Sequence, residues 1–273
     1  MSKRSAGESL GTVQRVVEII RFFAERGDAT LKELSLALSL APSTCHRLLE
    51  LLGQDGFIEQ DATRRRYRIG RDLFRVAALV GSKYDIRAVA TPFLHELVEA
   101  CDETSVLCLY LPSERKIFYA EKVDCSRMLR YQLPMNMALS ALWGASGRAI
   151  LAFLDKHEVD RIYAMEGRAP ASGEALPSRR TLEKELSAIR ECGYDVTRGQ
   201  KISGAVGFGA PLFGVDGKVF GSLNVTVPQT RIATKDIRRL GELVRATAEK
   251  CSAMLGAPRR NWIKENCVRA SAR

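Results

Sequence analysis

The chain of 273 residues is long enough for two modest domains. Its 46% hydrophobic and 27% charged residues suit a packed core and exclude a disordered or fibrous chain. A formal net charge of +10 favours a polyanionic partner without choosing between nucleic acid and an acidic membrane surface. The opening MSKRSAGESLG carries charge but no apolar stretch after it, so no secretory signal is expected. No apolar run nears the roughly 20 residues of a bilayer span. A cytoplasmic protein with no membrane partner is therefore expected. The seven cysteines are odd in number and scattered, with no CxxC pair. That argues for reduced thiols, and against a disulfide framework, a metal site or any other cofactor.

In chain order, Val13, Val16, Val17, Ile20 and Phe23 recur at helical spacing, and Thr12 can cap this first helix before Gly27-Asp28 ends it. Thr30 followed by Glu33 has the form of a capping box, opening a second helix with Leu31, Leu34 and Leu38 on one face. After Ser39-Leu40-Ala41, Pro42 suits the start of a third helix that reaches about Leu52 and buries Cys45, Leu48, Leu49 and Leu52. The pattern then switches to two short strands, 57–60 and 67–69, joined by a turn with three consecutive arginines. Helix, helix, turn, helix and basic hairpin are the outline of a winged helix-turn-helix.

A connecting helix is expected over 70–83, with Leu73, Val76, Ala77 and Val80 on one side, and another over 86–101. Strands are expected at 105–111, 116–123 and 128–133, and a helix from Ala145 through Leu151. Ser178 can cap a helix bearing Leu182, Leu186 and Ile189, which Gly193 stops. Strands 206–213 and 218–227 flank an Asp216-Gly217 turn. Thr234 can cap a last helix with Ile237, Leu240, Val244, Ala248 and Cys251, and Gly256 and Pro258 end it. Short connections between strands imply an antiparallel sheet flanked by helices.

The run Leu34-Ser35 through Ala41-Pro42-Ser43-Thr44-Cys45-His46-Arg47-Leu48-Leu49 is followed by Gly56-Phe57-Ile58 and Tyr67-Arg68-Ile69-Gly70. Downstream come Gly147-Arg148-Ala149-Ile150-Leu151-Ala152, Gly193-Tyr194, Ala210-Pro211-Leu212-Phe213 and Gly221 to Thr226. In this order, from about Val13 to Gly256, the chain resembles the isocitrate lyase regulator (IclR) family of bacterial transcription factors. The resemblance implies an α+β protein: a winged helix-turn-helix over 9–70, a linker helix over 71–85, a GAF-like effector domain over 86–256 and a basic tail over 257–273. It implies a homodimer or dimer of dimers on a double-stranded DNA operator. It also implies a small organic acid effector, aromatic acids included, that alters operator binding and so controls a catabolic operon.

A recognition helix needs polar side chains near its start, where base edges and phosphates meet it. Ser43, Thr44, His46 and Arg47 meet that need, with Arg47 able to bond guanine at two points. Arg64, Arg65 and Arg66 at the wing tip suit phosphate or the minor groove. The bland alternatives are a capping Ser43, a solvated Arg47 and a solvated arginine cluster. Residues 1–70 hold 11 basic and 9 acidic side chains, a net of +2. Placement of charge therefore carries the argument, not its total.

For the effector, the resemblance points to the start of the helix at Gly144, Ala145 and Ser146, where backbone N–H groups favour an anion. It adds Thr197, Ala205, Gly207, Asn224 and Thr226. Thr197 stands where the family often has an acidic residue, and Gly207 where a larger side chain is common. Leu142 and Trp143 replace a His and a small residue. These departures lead us to expect a roomy, rather apolar pocket, with the effector carboxylate on Ala145 and Ser146 and its body near Trp143, Leu107 and Leu109. The alternative for Trp143, Met137, Leu107 and Leu109 is plain core packing.

Two other function classes stand against a regulator. An enzyme fused to a DNA-binding module is disfavoured by the three scattered histidines, His46, His95 and His157, and by the lack of GxSxG, HExxH or P-loop stretches. An architectural DNA protein would not need the roughly 170 residues after the linker.

Overall fold

The computed structural model describes residues 11–61, 63–81 and 85–260, with only the backbone of Glu25. Internal packing divides the chain between residues 84 and 85. The N-terminal unit comprises α1 (Thr12–Arg26), β1 (Asp28–Ala29), α2 (Leu31–Leu38), α3 (Pro42–Gln54), β2 (Ile58–Asp61), β3 (Arg66–Ile69) and α4 (Arg71–Gly81). The C-terminal unit comprises α5 (Ile86–Cys101), β4 (Thr104–Leu111), β5 (Lys116–Val123), β6 (Leu139–Ser140), α6 (Ala145–Leu151), α7 (Lys156–Met165), α8 (Arg179–Cys192), β7 (Asp195–Arg198), β8 (Ala205–Phe213), β9 (Val219–Pro228) and α9 (Asp236–Met254).

In the N-terminal unit the capping box forms as expected: Glu33 N–H donates to Thr30 Oγ1 and Thr30 N–H to the Glu33 carboxylate. Ser39 closes α2 in the left-handed region, and the Ser35 hydroxyl donates to Leu40 O at 2.6 Å. That bond holds the turn into α3, whose first residue is Pro42. Ile19, Phe22, Phe23, Leu34, Cys45, Leu48, Leu49 and Ile58 make the core. Two expectations for α1 need correction. Gly11, not Thr12, stands at its cap, and no side chain caps it. Its buried face is Ile19, Phe22 and Phe23, while Val13 and Val17 stand in solvent. The two-residue β1, too short to leave a periodic signal, joins β3 and makes a three-stranded sheet in the order β1-β3-β2.

The C-terminal unit is built on a six-stranded antiparallel sheet, ordered β6-β5-β4-β9-β8-β7. Helices α5 and α9 cover one face through Leu94, Leu97, Leu240 and Val244, and the other face carries α6 and the core shared with α7 and α8. The α+β architecture with an antiparallel sheet is as expected. The strand expected at 128–133 is absent: this segment is irregular, with bends at Met128 and Leu129, and a lone bridge to Tyr119 follows it at Met135. α7 and β7 went unread in the sequence. Thr234 does not cap α9, which begins at Asp236 without a side-chain cap.

Candidate nucleic-acid face and effector cavity

On α3, Ser43, His46, Arg47 and Glu50 fall at i, i+3, i+4 and i+7, so they share one helical face. All four are exposed, while Cys45, Leu48, Leu49 and Leu52 on the opposite face are buried. The core thus fixes the helix so that its polar face is offered to solvent. Thr44, half-buried, lines a recess with Thr12, Arg15, Ser43 and Arg47. His46 Nδ1 lies 3.5 Å from Glu50 Oε2. A DNA phosphate near His46 would meet this carboxylate as well.

The three arginines of the wing do not act alike. Asp61 accepts from the backbone N–H groups of Thr63 and Arg64, which fixes the turn, and Arg65 takes a left-handed conformation. Arg64 and Arg65 are exposed at this turn. Arg66 is already in β3, where its Nε reaches Asp28 Oδ2 at 3.0 Å and its Nη2 reaches Glu33 Oε2 at 3.2 Å. The expectation of Arg66 at the wing tip is corrected in its placement, since it stands in β3 and not in the turn. Its guanidinium ties the wing to β1 and the start of α2.

In the C-terminal unit a small recess opens between the start of α6, strands β5, β8 and β9, and the loop after β7. Gly144, Ala145, Ser146, Thr197, Ala205, Gly207, Asn224 and Thr226 line it together. Gly209 lets α6 approach the sheet: a Cβ there would fall 2.5 Å from Ala145 O and 2.6 Å from Asn224 Oδ1. Asn224 Nδ2 donates to Val106 O and Ser222 O, and Ser222 Oγ–H donates to Ser146 O. The Asn224 amide is therefore engaged in fastening β4, β9 and α6.

Three side chains expected at the recess lie elsewhere. Leu107 and Leu109 point to the opposite face of the sheet, into the core beneath α5 and α9, because β4 alternates and it is Val106 and Cys108 that face α6. Trp143 is buried in the core shared with α7 and α8, and its Nε1–H donates to Gly167 O at 3.0 Å. These three are core residues. Met137 is exposed, so it is neither core nor lining.

The recess is also narrower and more polar than expected, about 40 Å³. Ala145 N–H already donates to Thr197 Oγ1 at 2.9 Å, and Gly144 N–H to Gln200 Oε1 at 3.2 Å. Gln200, Lys201 and Ile202 from the loop after β7, and Tyr119 of β5, also line it, along with Gly199, Phe208 and Val225. Lys201 Nζ donates to Ser140 O at 3.1 Å and Ser146 Oγ at 3.2 Å, and stands 5.8 Å from the centre of the Tyr119 ring. Tyr119 Oη lies 3.3 Å from Ser146 Oγ. Burial pushes the Lys201 ammonium down to about 8, and it pushes the Tyr119 phenol up. No periodicity marks the three loop residues, which only the closure of the loop over α6 brings in, whereas the sheet places Tyr119.

Deeper on α6, Arg148 is buried with Asp195, Nε to Oδ2 at 2.8 Å, and also reaches Glu185 at 3.0 Å. Among the described residues, no cluster of three His, Cys, Asp or Glu side chains could hold a metal ion, and no helix is long and apolar enough to cross a membrane.

Comparison with known proteins agrees with this geometry. Residues 12–62 match the family model described as the IclR helix-turn-helix domain, and residues 78–253 match that of the bacterial transcriptional regulator IclR C-terminal domain. The HTH-type transcriptional repressor AllR of Escherichia coli K12 is 27% identical over 245 residues, covering 89% of this chain and 90% of that protein. The transcriptional repressor IclR of the same strain is 24% identical over 249 residues, covering 91% of each. A crystal structure from Silicibacter sp. TM1040, assigned to the same kind of regulator, superposes with a TM-score of 0.82 at 25% identity, covering 91% of this chain and 97% of that one. Pseudomonas aeruginosa HmgR superposes with a TM-score of 0.77 at 24% identity, covering 91% and 99%. With both of its domains matched in order, the chain belongs to the IclR family of bacterial transcriptional regulators and is a DNA-binding regulator of transcription.

Proposed function

We propose that this regulator reads a double-stranded operator with the exposed face of α3, and that a small organic acid held in the C-terminal recess alters operator binding. Ser43, Thr44, His46 and Arg47 meet the major groove, and Arg64 and Arg65 meet phosphate or the minor groove. The single observation that carries the effector reading is the convergence of Ser146, Thr197, Lys201 and Tyr119 on one small recess. Polar side chains gathered at a concave site fix the orientation of a small ligand. The genes so controlled form a catabolic operon, as the family resemblance implies, and the protein works in the cytoplasm, where its DNA lies.

The working unit is a homodimer or a dimer of dimers. Supporting this, Val76 and Val80, one turn apart on α4, stand exposed as apolar surface that a single copy leaves in solvent. Selection of binding sequences from a random duplex library tests the reading. Enriched sites should be two-fold symmetric, with half-sites about one helical turn apart or a multiple of it. Enrichment should change when a panel of organic acids is added. Selection that enriches no sequence, or that ignores every acid, would overturn it.

A further inference from the structure

The cations drawn into the C-terminal unit are treated unequally, with Arg148 buried and Arg231 and Lys201 half-buried. Arg148 is paired with Asp195 and Glu185, and Arg231 with both carboxylate oxygens of Glu103. Lys201 has no carboxylate within 4 Å among the described residues. Its ammonium rests on a carbonyl oxygen, a hydroxyl and an aromatic ring. Neutral dipoles compensate a half-buried charge only in part, so the recess carries a positive charge with no carboxylate beside it.

We propose that Lys201 is the specificity-determining residue of the recess, pairing its ammonium with one carboxylate oxygen of a compact hydrophilic acid while Ser146 and Tyr119 donate to the other. This rests on the reading of the recess as the effector site. Two further features define the acid. The first is size: an engineered apolar cavity of about 150 Å³ holds benzene, whereas this recess offers about 40 Å³. An aromatic body does not fit without rearrangement. The second is polarity, since Ser146 and Tyr119 stand beside the Lys201 ammonium and Thr197 and Gln200 share the lining with apolar Ile202, Phe208 and Val225. An acid of a few heavy atoms with a further hydroxyl or carboxylate group suits such walls.

The proposal carries a pH dependence. The groups acting on the Lys201 ammonium are Tyr119 from β5, Cys108 from β4 and, at longer range, Glu166 after α7. Burial pushes the Cys108 thiol up to about 12 and the Tyr119 phenol up as well, so neither ionises between pH 6 and 10. Over that range Lys201 is the group that changes charge at the recess. Below about pH 8 it is cationic and binding is strongest. Above it, affinity falls toward tenfold per pH unit.

Calorimetric titration of the full chain tests this, using acetate, lactate, malonate and benzoate, with acetamide and lactamide as neutral counterparts, at pH 7 and 9.5. The variants are Lys201→Gln, Lys201→Arg and Gly207→Val, each checked for folding by its melting curve. A Cβ at Gly207 meets Thr197 Oγ1 at 3.5 Å and the Ala145 methyl at 3.7 Å and no backbone, so a side chain can start there and take up space in the recess. The expected result is binding of one or more of the aliphatic acids at pH 7, at least tenfold weaker at pH 9.5, and none of the amides. Lys201→Gln should weaken it at least tenfold and remove the pH effect, Lys201→Arg should restore part of it, and Gly207→Val should abolish it. If an acid binds and Gly207→Val abolishes it, but Lys201→Gln and pH leave it unchanged, the role of Lys201 is overturned while the recess stands. If Gly207→Val leaves binding intact, the recess itself is the wrong site. Binding of benzoate alone, or of no acid, overturns the compact-acid class.

Discussion

The two units handle positive charge in opposite ways. On the DNA-binding unit, Arg47, Arg64 and Arg65 stand in solvent. In the C-terminal unit Arg148 is buried and Lys201 half-buried, each held by neighbours. Exposed cations act over about a Debye length and fade with salt, which suits a polyanion approached by diffusion. Buried cations act only at contact and are screened much less, which suits one small anion in one pose. The contrast predicts that the two halves respond to different perturbations.

The largest effect should come from Asp195→Ala. It leaves Arg148 buried with only the part-exposed Glu185, and breaking a buried pair costs about 3–5 kcal/mol. Glu185 should hold the loss near the lower end. Chemical denaturation of full-length protein should show it. A cost below about 1 kcal/mol would mean that the interior solvates charge as the surface does, and the contrast between the units would fail.

Next comes Arg47→Ala, with an expected loss of about 1–3 kcal/mol on the selected operator and a smaller loss on unrelated duplex. Equal losses on both would make Arg47 a phosphate contact and not a reader of bases. Stability should barely change, because the side chain is exposed.

A finer comparison lies within the wing. Replacing Arg64 and Arg65 with Ala should flatten the salt dependence of DNA binding by up to about 0.9 per lost phosphate contact. Arg66→Ala should leave the slope unchanged and cost little stability, since its pairs with Asp28 and Glu33 are part-exposed. Anisotropy titrations over a range of salt separate the two outcomes. Equal slope changes for all three arginines would return Arg66 to the DNA.

The same division decides what the sequence could tell. The α3 face was legible because helical periodicity separates Ser43, His46 and Arg47 from Cys45, Leu48 and Leu49 within one short segment. The capping box at Thr30 and the stop at Gly193 were legible for the same local reason. The wing was read as three equivalent arginines because the sequence does not reveal β1, whose two residues bring Asp28 against Arg66. In the recess, the alignment of motifs located Ser146, Thr197 and Gly207 but misplaced Leu107 and Leu109. A strand's period of two is visible in sequence, but which face looks toward α6 depends on packing from elsewhere in the chain. Lys201 lies in a loop between short strands, where no pattern predicts closure over a helix start 55 residues away.

The last expected effect concerns stability without any effector, and its sign follows from where Lys201 binds its proton. Burial lowers its ionisation from 10.5 to about 8 in the folded protein. Between those values the unfolded chain holds more protons than the folded one. Stability from this group therefore rises with pH across the interval, and below about 8 its full penalty applies. Lys201→Gln removes the titration while leaving every other ionisable group in place. The melting temperature of the variant minus that of the wild type should thus be largest near pH 7 and should decline by a few degrees toward pH 10.5. Groups common to both proteins cancel in the difference. A flat difference would show that solvent reaches the ammonium freely. In that case Lys201 would belong with Arg64 and Arg65 as an exposed cation, and the contrast between the two units would end at Arg148.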